Sequence, residues 1–271
     1  MMRVGIVGLG LIGGSFAKAY HAAGWEVLAK NRSRSVLDFA KLSGEVSGEL
    51  TSDNISSCDL VLLTIYPEAC ISTLRELAPH IGSKPFVIDC CGTKRVVCEA
   101  AFPLAEQYGF TYLGGHPMAG THNSGLKYAR ATLYDRAPMV IVPPVYDDIE
   151  FLARIKTLLK PLGFGRVSVT TAEKHDEMIA FTSQLAHVVS NAYIKSPTAT
   201  AHRGFSAGSY KDMTRVARLD PEMWTQLFMV NRDNMIGELQ ELVDNLTGYL
   251  DALKADDPEL LKKLFEEGRD L

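Results

Sequence analysis

The strongest constraint in this chain is an alternation in its first 170 residues. Seven short apolar, β-branched runs stand at Arg3–Val7, Glu26–Ala29, Asp59–Ile65, Pro85–Asp89, Phe110–Leu113, Met139–Val142 and Arg166–Thr170. Between several of them lie stretches with helical periodicity, among them Leu11–Ala23, Pro67–Pro79 and Thr93–Gln107. Strands joined through crossover helices pair in parallel, so the repeat predicts βαβ units and a doubly wound α/β sheet over residues 1–170. After Thr171 no strand candidate follows. Met178, Phe181, Leu185, Val188 and Ala192 mark a helical stripe, a polar stretch runs from Ser196 to Ser209, and Met223–Ala255 reads as one long helix. At about 1.5 Å per residue that helix would be roughly 50 Å long, more than one small domain covers. Residues 171–271 are therefore expected to form an all-helical second domain that buries its stripe in a homodimer.

Composition excludes several classes. Hydrophobic residues make up 46% and charged residues 22% of the 271, the balance of a globular protein and not of a disordered or fibrous one. No apolar window is long enough for a membrane span, and the run behind Met1-Met2-Arg3 is too short for a signal peptide, so a cytoplasmic location is expected. A net charge of −4 gives no footprint for nucleic acid. The charge is uneven: from Arg232 onward stand 11 acidic and 5 basic residues, leaving a mildly basic body that suits an anionic small molecule. The five cysteines form no CxxC pair, so neither a disulfide framework nor a metal site is indicated.

Gly8-Leu9-Gly10-Leu11-Ile12-Gly13 is a GxGxxG turn between the first strand and the first helix. In that context its glycines permit a tight turn, close approach of a pyrophosphate and close helix–strand packing, with the phosphates at the helix N-terminus. The end of the second strand selects the cofactor. An NAD site places a carboxylate there for the ribose 2′-hydroxyl, whereas this chain reads Lys30-Asn31-Arg32-Ser33-Arg34. Asn31, Arg32 and Ser33, with no acid among them, favour NADP, with NAD as the alternative.

Gly114-Gly115-His116-Pro117-Met118-Ala119-Gly120 follows the Phe110–Leu113 strand, at the carboxyl edge of the sheet where ligands bind in open α/β folds. Read as a rigid turn, the segment would aim His116 at the nicotinamide as a general base.

Together GLGLIGGS at Gly8–Ser15 and GGHPMAG at Gly114–Gly120 resemble the prephenate/arogenate dehydrogenase family of tyrosine biosynthesis, and the resemblance covers nearly the whole chain. It implies a Rossmann-type domain followed by a helical dimerisation domain. It also implies oxidative decarboxylation of prephenate to 4-hydroxyphenylpyruvate, with His116 as the base. The family's Gly-Ser-Val-Lys turn is matched loosely by Gly92-Thr93-Lys94, with Thr93 keeping the hydroxyl. Its Ser-His-Leu-Pro-His segment is matched by Ser183-Gln184-Leu185-Ala186-His187, and its Asp-x-Thr-Arg segment by Asp212–Arg215. By that resemblance Thr93, Ser183, His187 and Arg215 bind substrate, Arg215 as the fork for a carboxylate. Trp224 reads as core. The residue after Gly120-Thr121 is His122 and not an acid, which favours prephenate over arogenate, whose ammonium would welcome an acid. Two further readings stay open at this point. One is a β-hydroxyacid dehydrogenase or imine reductase of similar architecture, against which stands the lack of a lysine inside the first helix of the second domain. The other is a non-catalytic NADPH-sensing regulator, in which His116 and Arg215 would be idle.

Overall fold

A computed structural model describes residues 1–121, 123–202 and 204–270. His122, weighed above in the choice of substrate, lies outside them. Eight strands form one sheet: β1 (Arg3–Val7), β2 (Glu26–Lys30), β3 (Gly48–Glu49), β4 (Leu60–Leu63), β5 (Phe86–Asp89), β6 (Thr111–Pro117), β7 (Pro138–Val142) and β8 (Arg166–Val169). Their order is β3-β2-β1-β4-β5-β6-β7-β8, a doubly wound arrangement. The helices are α1 (Leu11–Ala22), α2 (Arg34–Leu42), α3 (Pro67–Ile81), α4 (Arg95–Tyr108), α5 (Ile149–Leu159), α6 (Ala172–Ile179), α7 (Ala186–Tyr193), α8 (Gly208–Thr214), α9 (Pro221–Val230), α10 (Arg232–Lys254) and α11 (Pro258–Arg269).

The central strands are apolar at every position because both faces are covered. In β4, Leu60 and Leu62 join the core under α1 and α5, while Val61 and Leu63 join the core under α3 and α4. Tyr20 shows how a polar tip survives there: its ring is buried and its hydroxyl donates to the Leu158 carbonyl at 3.0 Å.

The structure corrects the sequence reading at β6. Gly114–Pro117 is not a turn but the second half of a strand. Residues Thr111–Leu113 pair in parallel with β5, and Gly114–Pro117 pair antiparallel with β7, with His116 opposite Val140. A strand shared between two ladders holds His116 more firmly than a turn would.

Two compact units divide the chain. The first comprises Met1–Asp176 and Arg218–Val230; the second comprises Glu177–Ala217 and Asn231–Leu271. Local contacts tie residues beyond 170 to the first unit. Asp176 accepts hydrogen bonds from the backbone N–H groups of Lys94 and Arg95, and Leu227 of α9 packs over Gly92, where an added Cβ would lie 3.4 Å away.

The expected single helix over Met223–Ala255 is also corrected. It breaks at Asn231 (φ −122°, ψ 26°), whose amide donates to Gln184 Oε1 at 2.7 Å, so α9 and α10 are separate. Of the Met178–Ala192 stripe, Leu185 alone is fully buried. Met178 and Phe181 are exposed, while Ala172, His175, Asp176, Ile179 and Ala180 are buried at helical spacing. A π-helical turn at Ala180–Leu185 then shifts the register ahead of α7.

Candidate active site

The glycine turn is built as its spacing predicts. Gly8 has φ 95°, a conformation that a side chain would strain, and its N–H donates to the Lys30 carbonyl at 2.8 Å. A Cβ on Gly13 would stand 1.9 Å from the Gly8 carbonyl oxygen, so only glycine lets α1 start this close to β1. The N-cap Gly10 offers no side-chain acceptor and the first turn of α1, which holds Leu11 and Ile12, has no acidic residue. Its free N–H groups therefore suit an anion. Thr64, which the motif did not reveal, ties the turn down by donating its hydroxyl to the Val7 and Gly8 carbonyls at 2.9 and 2.7 Å.

At the end of β2 the residues divide their work. Asn31 Oδ1 accepts from the Leu9 N–H at 2.8 Å, fastening the glycine turn to the strand end. Arg34 is engaged by Glu49 and Asp38, at 2.7 and 3.1 Å. Ser33 is exposed, with its hydroxyl 3.0 Å from that of Ser35. Arg32 is exposed and has no ion-pair partner among the described residues, which leaves its guanidinium available to a ligand.

His116, half-buried near the carboxyl end of β6, heads a line of three side chains. Its Nδ1 lies 2.9 Å from His175 Nε2, and His175 Nδ1 lies 2.7 Å from Asp176 Oδ1. Asp176 is held in turn by the Lys94 and Arg95 backbone N–H groups at 2.7 and 2.9 Å. Burial first, then neighbouring His175 and the Lys94 ammonium, push the His116 pKa well below the ordinary imidazole value. Burial also lowers His175, against the opposing pull of Asp176. Both rings are therefore neutral at pH 7, the state in which an imidazole can accept a proton.

Beneath them lies a fully buried ion pair. Lys94, 0% exposed, pairs with Asp89 and donates to the Gly115 carbonyl at 2.6 Å, while the Tyr112 hydroxyl donates to Asp89 Oδ2 at 2.6 Å. Burial opposes the ammonium, but Asp89 and the Cys91 and Cys98 thiols outweigh it and raise the Lys94 pKa. Lys94 thus grips β6 one residue before His116. Thr93 beside it is 1% exposed, and its hydroxyl has no hydrogen-bond partner among the described residues. A buried hydroxyl left without a partner is costly, which fits a group that a ligand completes.

Of the expected substrate residues, Ser183, His187 and Arg215 lie in the second unit, on and around α7. His187 Nδ1–H donates to the Ser183 carbonyl at 2.7 Å, which leaves Nε2 as the acceptor in the neutral ring. Burial first, and then the charge of Arg215, lower the His187 pKa, while the Ser183 carbonyl opposes them. Arg215 is exposed at the end of α8, which α7 holds through Ser190 Oγ donating to the Met213 carbonyl at 2.6 Å. The buried Gln184 is structural, through Asn231. Among the described residues no group of His, Cys, Asp and Glu could hold a metal ion, and no helix is long and apolar enough to cross a membrane.

Comparison with known proteins adds an independent line. Residues 16–169 match the family described as "Prephenate dehydrogenase, nucleotide-binding domain", and residues 171–267 match "Prephenate dehydrogenase, dimerization domain". The cyclohexadienyl dehydrogenase of Zymomonas mobilis is 28% identical, over 98% of this chain and 94% of that protein. The arogenate dehydrogenase structure from Synechocystis superposes with a TM-score of 0.82 at 27% identity, covering 99% of this chain and 98% of that one. A prephenate dehydrogenase structure from Aquifex aeolicus, in complex with hydroxyphenyl propionate and NAD+, gives 0.81 at 25% identity, covering 99% and 96%.

Proposed function

We propose, from the premise that this chain belongs to the prephenate dehydrogenase family, that it oxidises and decarboxylates prephenate to 4-hydroxyphenylpyruvate. The observation that carries the reading is His116, held at the carboxyl end of β6 with its Nδ1 2.9 Å from His175 Nε2. Prephenate is a cyclohexadiene with a ring carboxylate, a pyruvyl side chain and a hydroxyl on the carbon to be oxidised. His116 Nε2 takes the hydroxyl proton. The electron pair left on oxygen forms the carbonyl as hydride departs from the same carbon. The ring carboxylate then leaves as CO2, the bonding pair it leaves behind makes the ring aromatic, and the former carbonyl oxygen takes up a proton to become the phenol; aromatisation supplies the driving force. His187 and Arg215 clamp substrate carboxylates, and Ser183 and Thr93 position the reactants by hydrogen bonds. The protein's part is alignment and charge stabilisation.

The dinucleotide-binding unit serves NAD(P). A bound nicotinamide supplies the hydride acceptor. Gly8, Gly10 and Gly13, with the N–H groups of Leu11 and Ile12, would hold its pyrophosphate. Arg32 and Ser33 would hold a 2′-phosphate, which favours NADP. The single free guanidinium at the β2 end supports this finer choice. The chain is further proposed to act as a homodimer through its second unit, in which Ile236, Leu239, Val243, Leu246, Leu250 and Leu253 stand exposed along α10 at alternating spacings of three and four.

The test is turnover of prephenate and arogenate, each with NADP and NAD. Highest kcat/KM for prephenate with NADP is expected, and Arg215→Ala should raise KM by the equivalent of about 2–5 kcal/mol. Absence of turnover with either substrate would remove the reading, and an Arg215→Ala enzyme with unchanged KM would place that arginine outside the site.

A further inference from the structure

His175 and Asp176 have no part in the chemistry above, yet they stand directly behind the base. Their contacts decide where the protons lie. An ionised Asp176 offers only lone pairs, so His175 must donate to it through Nδ1–H across the 2.7 Å contact. A neutral imidazole carries one N–H, so His175 Nε2 is then a bare acceptor. Across the 2.9 Å contact it is therefore His116 that donates, through Nδ1–H. The lone pair of His116 is left on Nε2.

We propose that His175, clamped by Asp176, is the positioning residue that fixes His116 in the one tautomer able to accept a proton at Nε2. The inference rests on the reading of His116 as the base. Neither His175 nor Asp176 touches substrate. They act through the orientation and tautomer of a third residue, the logic by which an acid–imidazole pair directs a catalytic group in other hydrolytic and redox sites.

The surroundings hold the arrangement. Asp176 is kept ionised: burial opposes this, but His175 and the backbone N–H groups of Arg95 and Lys94 outweigh it and lower its pKa. The charged groups facing the two rings are Lys94, Asp89 and Asp176, with Arg95 behind Asp176 at 3.5 Å. Burial and Lys94 together disfavour a proton on His175. The consequence of losing that neutrality is specific. A protonated His175 would donate Nε2–H to His116 Nδ1, force the His116 proton onto Nε2 and block the base without charging it. During turnover the proton from the substrate hydroxyl ends on His116 Nε2. The resulting imidazolium keeps its Nδ1–H bond to a ring polarised by Asp176, and the proton then goes to the oxygen that becomes the product's phenol, so that none is released overall.

The experiment is ¹⁵N NMR of histidine-labelled, ligand-free full-length protein at neutral pH, with the His116 ring assigned by its loss in His116→Asn. His116 should show a protonated Nδ1 and an unprotonated Nε2. In Asp176→Asn the amide can donate to His175, so the His116 tautomer should invert and kcat should fall by about 10²–10⁴-fold with KM nearly unchanged. Because Asp176 also receives two backbone N–H groups, His175→Leu and His175→Gln provide a second route. The leucine, with no acceptor, should lose kcat on the same scale, and the glutamine carbonyl should recover roughly tenfold or more of it. A wild-type His116 protonated on Nε2, or a His175→Leu enzyme with wild-type kcat, would overturn the proposal. Loss of the base reading itself would look different: His116→Asn would stay active while the ring shifts still reported the tautomer.

Discussion

The two units of this molecule solve the burial problem in opposite ways. In the sheet unit, the charged groups that enter the interior are matched from within. Asp89 receives Lys94, the Tyr112 hydroxyl and the Cys91 N–H, and Asp176 receives His175 and two backbone N–H groups. In the helical unit the mismatch is apolar and faces outward. The six residues from Ile236 to Leu253 on α10 are 39 to 64% exposed, and Phe265 on α11 is 61% exposed. One unit spends its specificity on placing a few charged groups, and the other on presenting a surface that a second copy would cover.

Breaking the interior match should cost most. Lys94→Met leaves Asp89 buried without its cation, and the loss of one partner of such a pair is worth about 3–5 kcal/mol. Urea unfolding followed by the sheet unit's signal measures it. A variant as stable as the parent would mean that Asp89 has another source of charge compensation.

The outward stripe is expected to respond differently. Val243→Glu combined with Leu246→Glu removes two apolar contacts, each worth roughly 1.5–3 kcal/mol when buried, so a dimer should dissociate at micromolar concentration. Light scattering should report the 29.7 kDa chain mass for the double variant and twice that for the parent. Dinucleotide affinity should stay within about twofold, because the cofactor residues lie in the other unit. A monomeric parent would remove the dimer proposal.

A smaller and more local change sharpens the cofactor choice. Asn31→Asp keeps the oxygen that accepts the Leu9 N–H, so the glycine turn should survive, while the new carboxylate repels a 2′-phosphate and welcomes a 2′-hydroxyl. The ratio of kcat/KM for NADP over NAD should fall by roughly tenfold, or about 1.4 kcal/mol. A parent that prefers NAD would show that Arg32 does not bind the phosphate.

How far the sequence foretold this divides along the same line. Strands such as Arg3–Val7 were legible because both faces are buried and the apolar run is unbroken, and the glycine turn because its spacing is tied to steric needs at Gly8 and Gly13. The resemblance carried by GLGLIGGS and GGHPMAG pointed to the family. Where the reading failed, the cause was tertiary. Gly114–Pro117 has the composition of a turn, yet pairing with β7 makes it strand. The break at Asn231 depends on Gln184, 47 residues away, which no local periodicity reveals. Lys94 entered the sequence reading only as the end of the Gly92-Thr93-Lys94 turn, because its partners Asp89 and Gly115 are brought to it by the fold. His175 and Asp176 lay in a helix whose polar residues gave no sign of pointing inward, although their spacing with Ala172, Ile179 and Ala180 was the available signal.

The most direct test of the central claim is kcat for prephenate oxidation against pH, in the parent and in His116→Asn. The lowered pKa of His116 keeps the ring neutral below the ordinary imidazole value of about 6.5. The parent's kcat should therefore hold its plateau through that pH and fall only on further acidification, as protonation removes the accepting lone pair. In His116→Asn, kcat should be lower by about 10²–10⁴-fold, with KM nearly unchanged, the melting temperature close to the parent's and the acid limb gone. A folded His116→Asn enzyme with the parent's kcat and the parent's pH profile would contradict the assignment of His116 as the base.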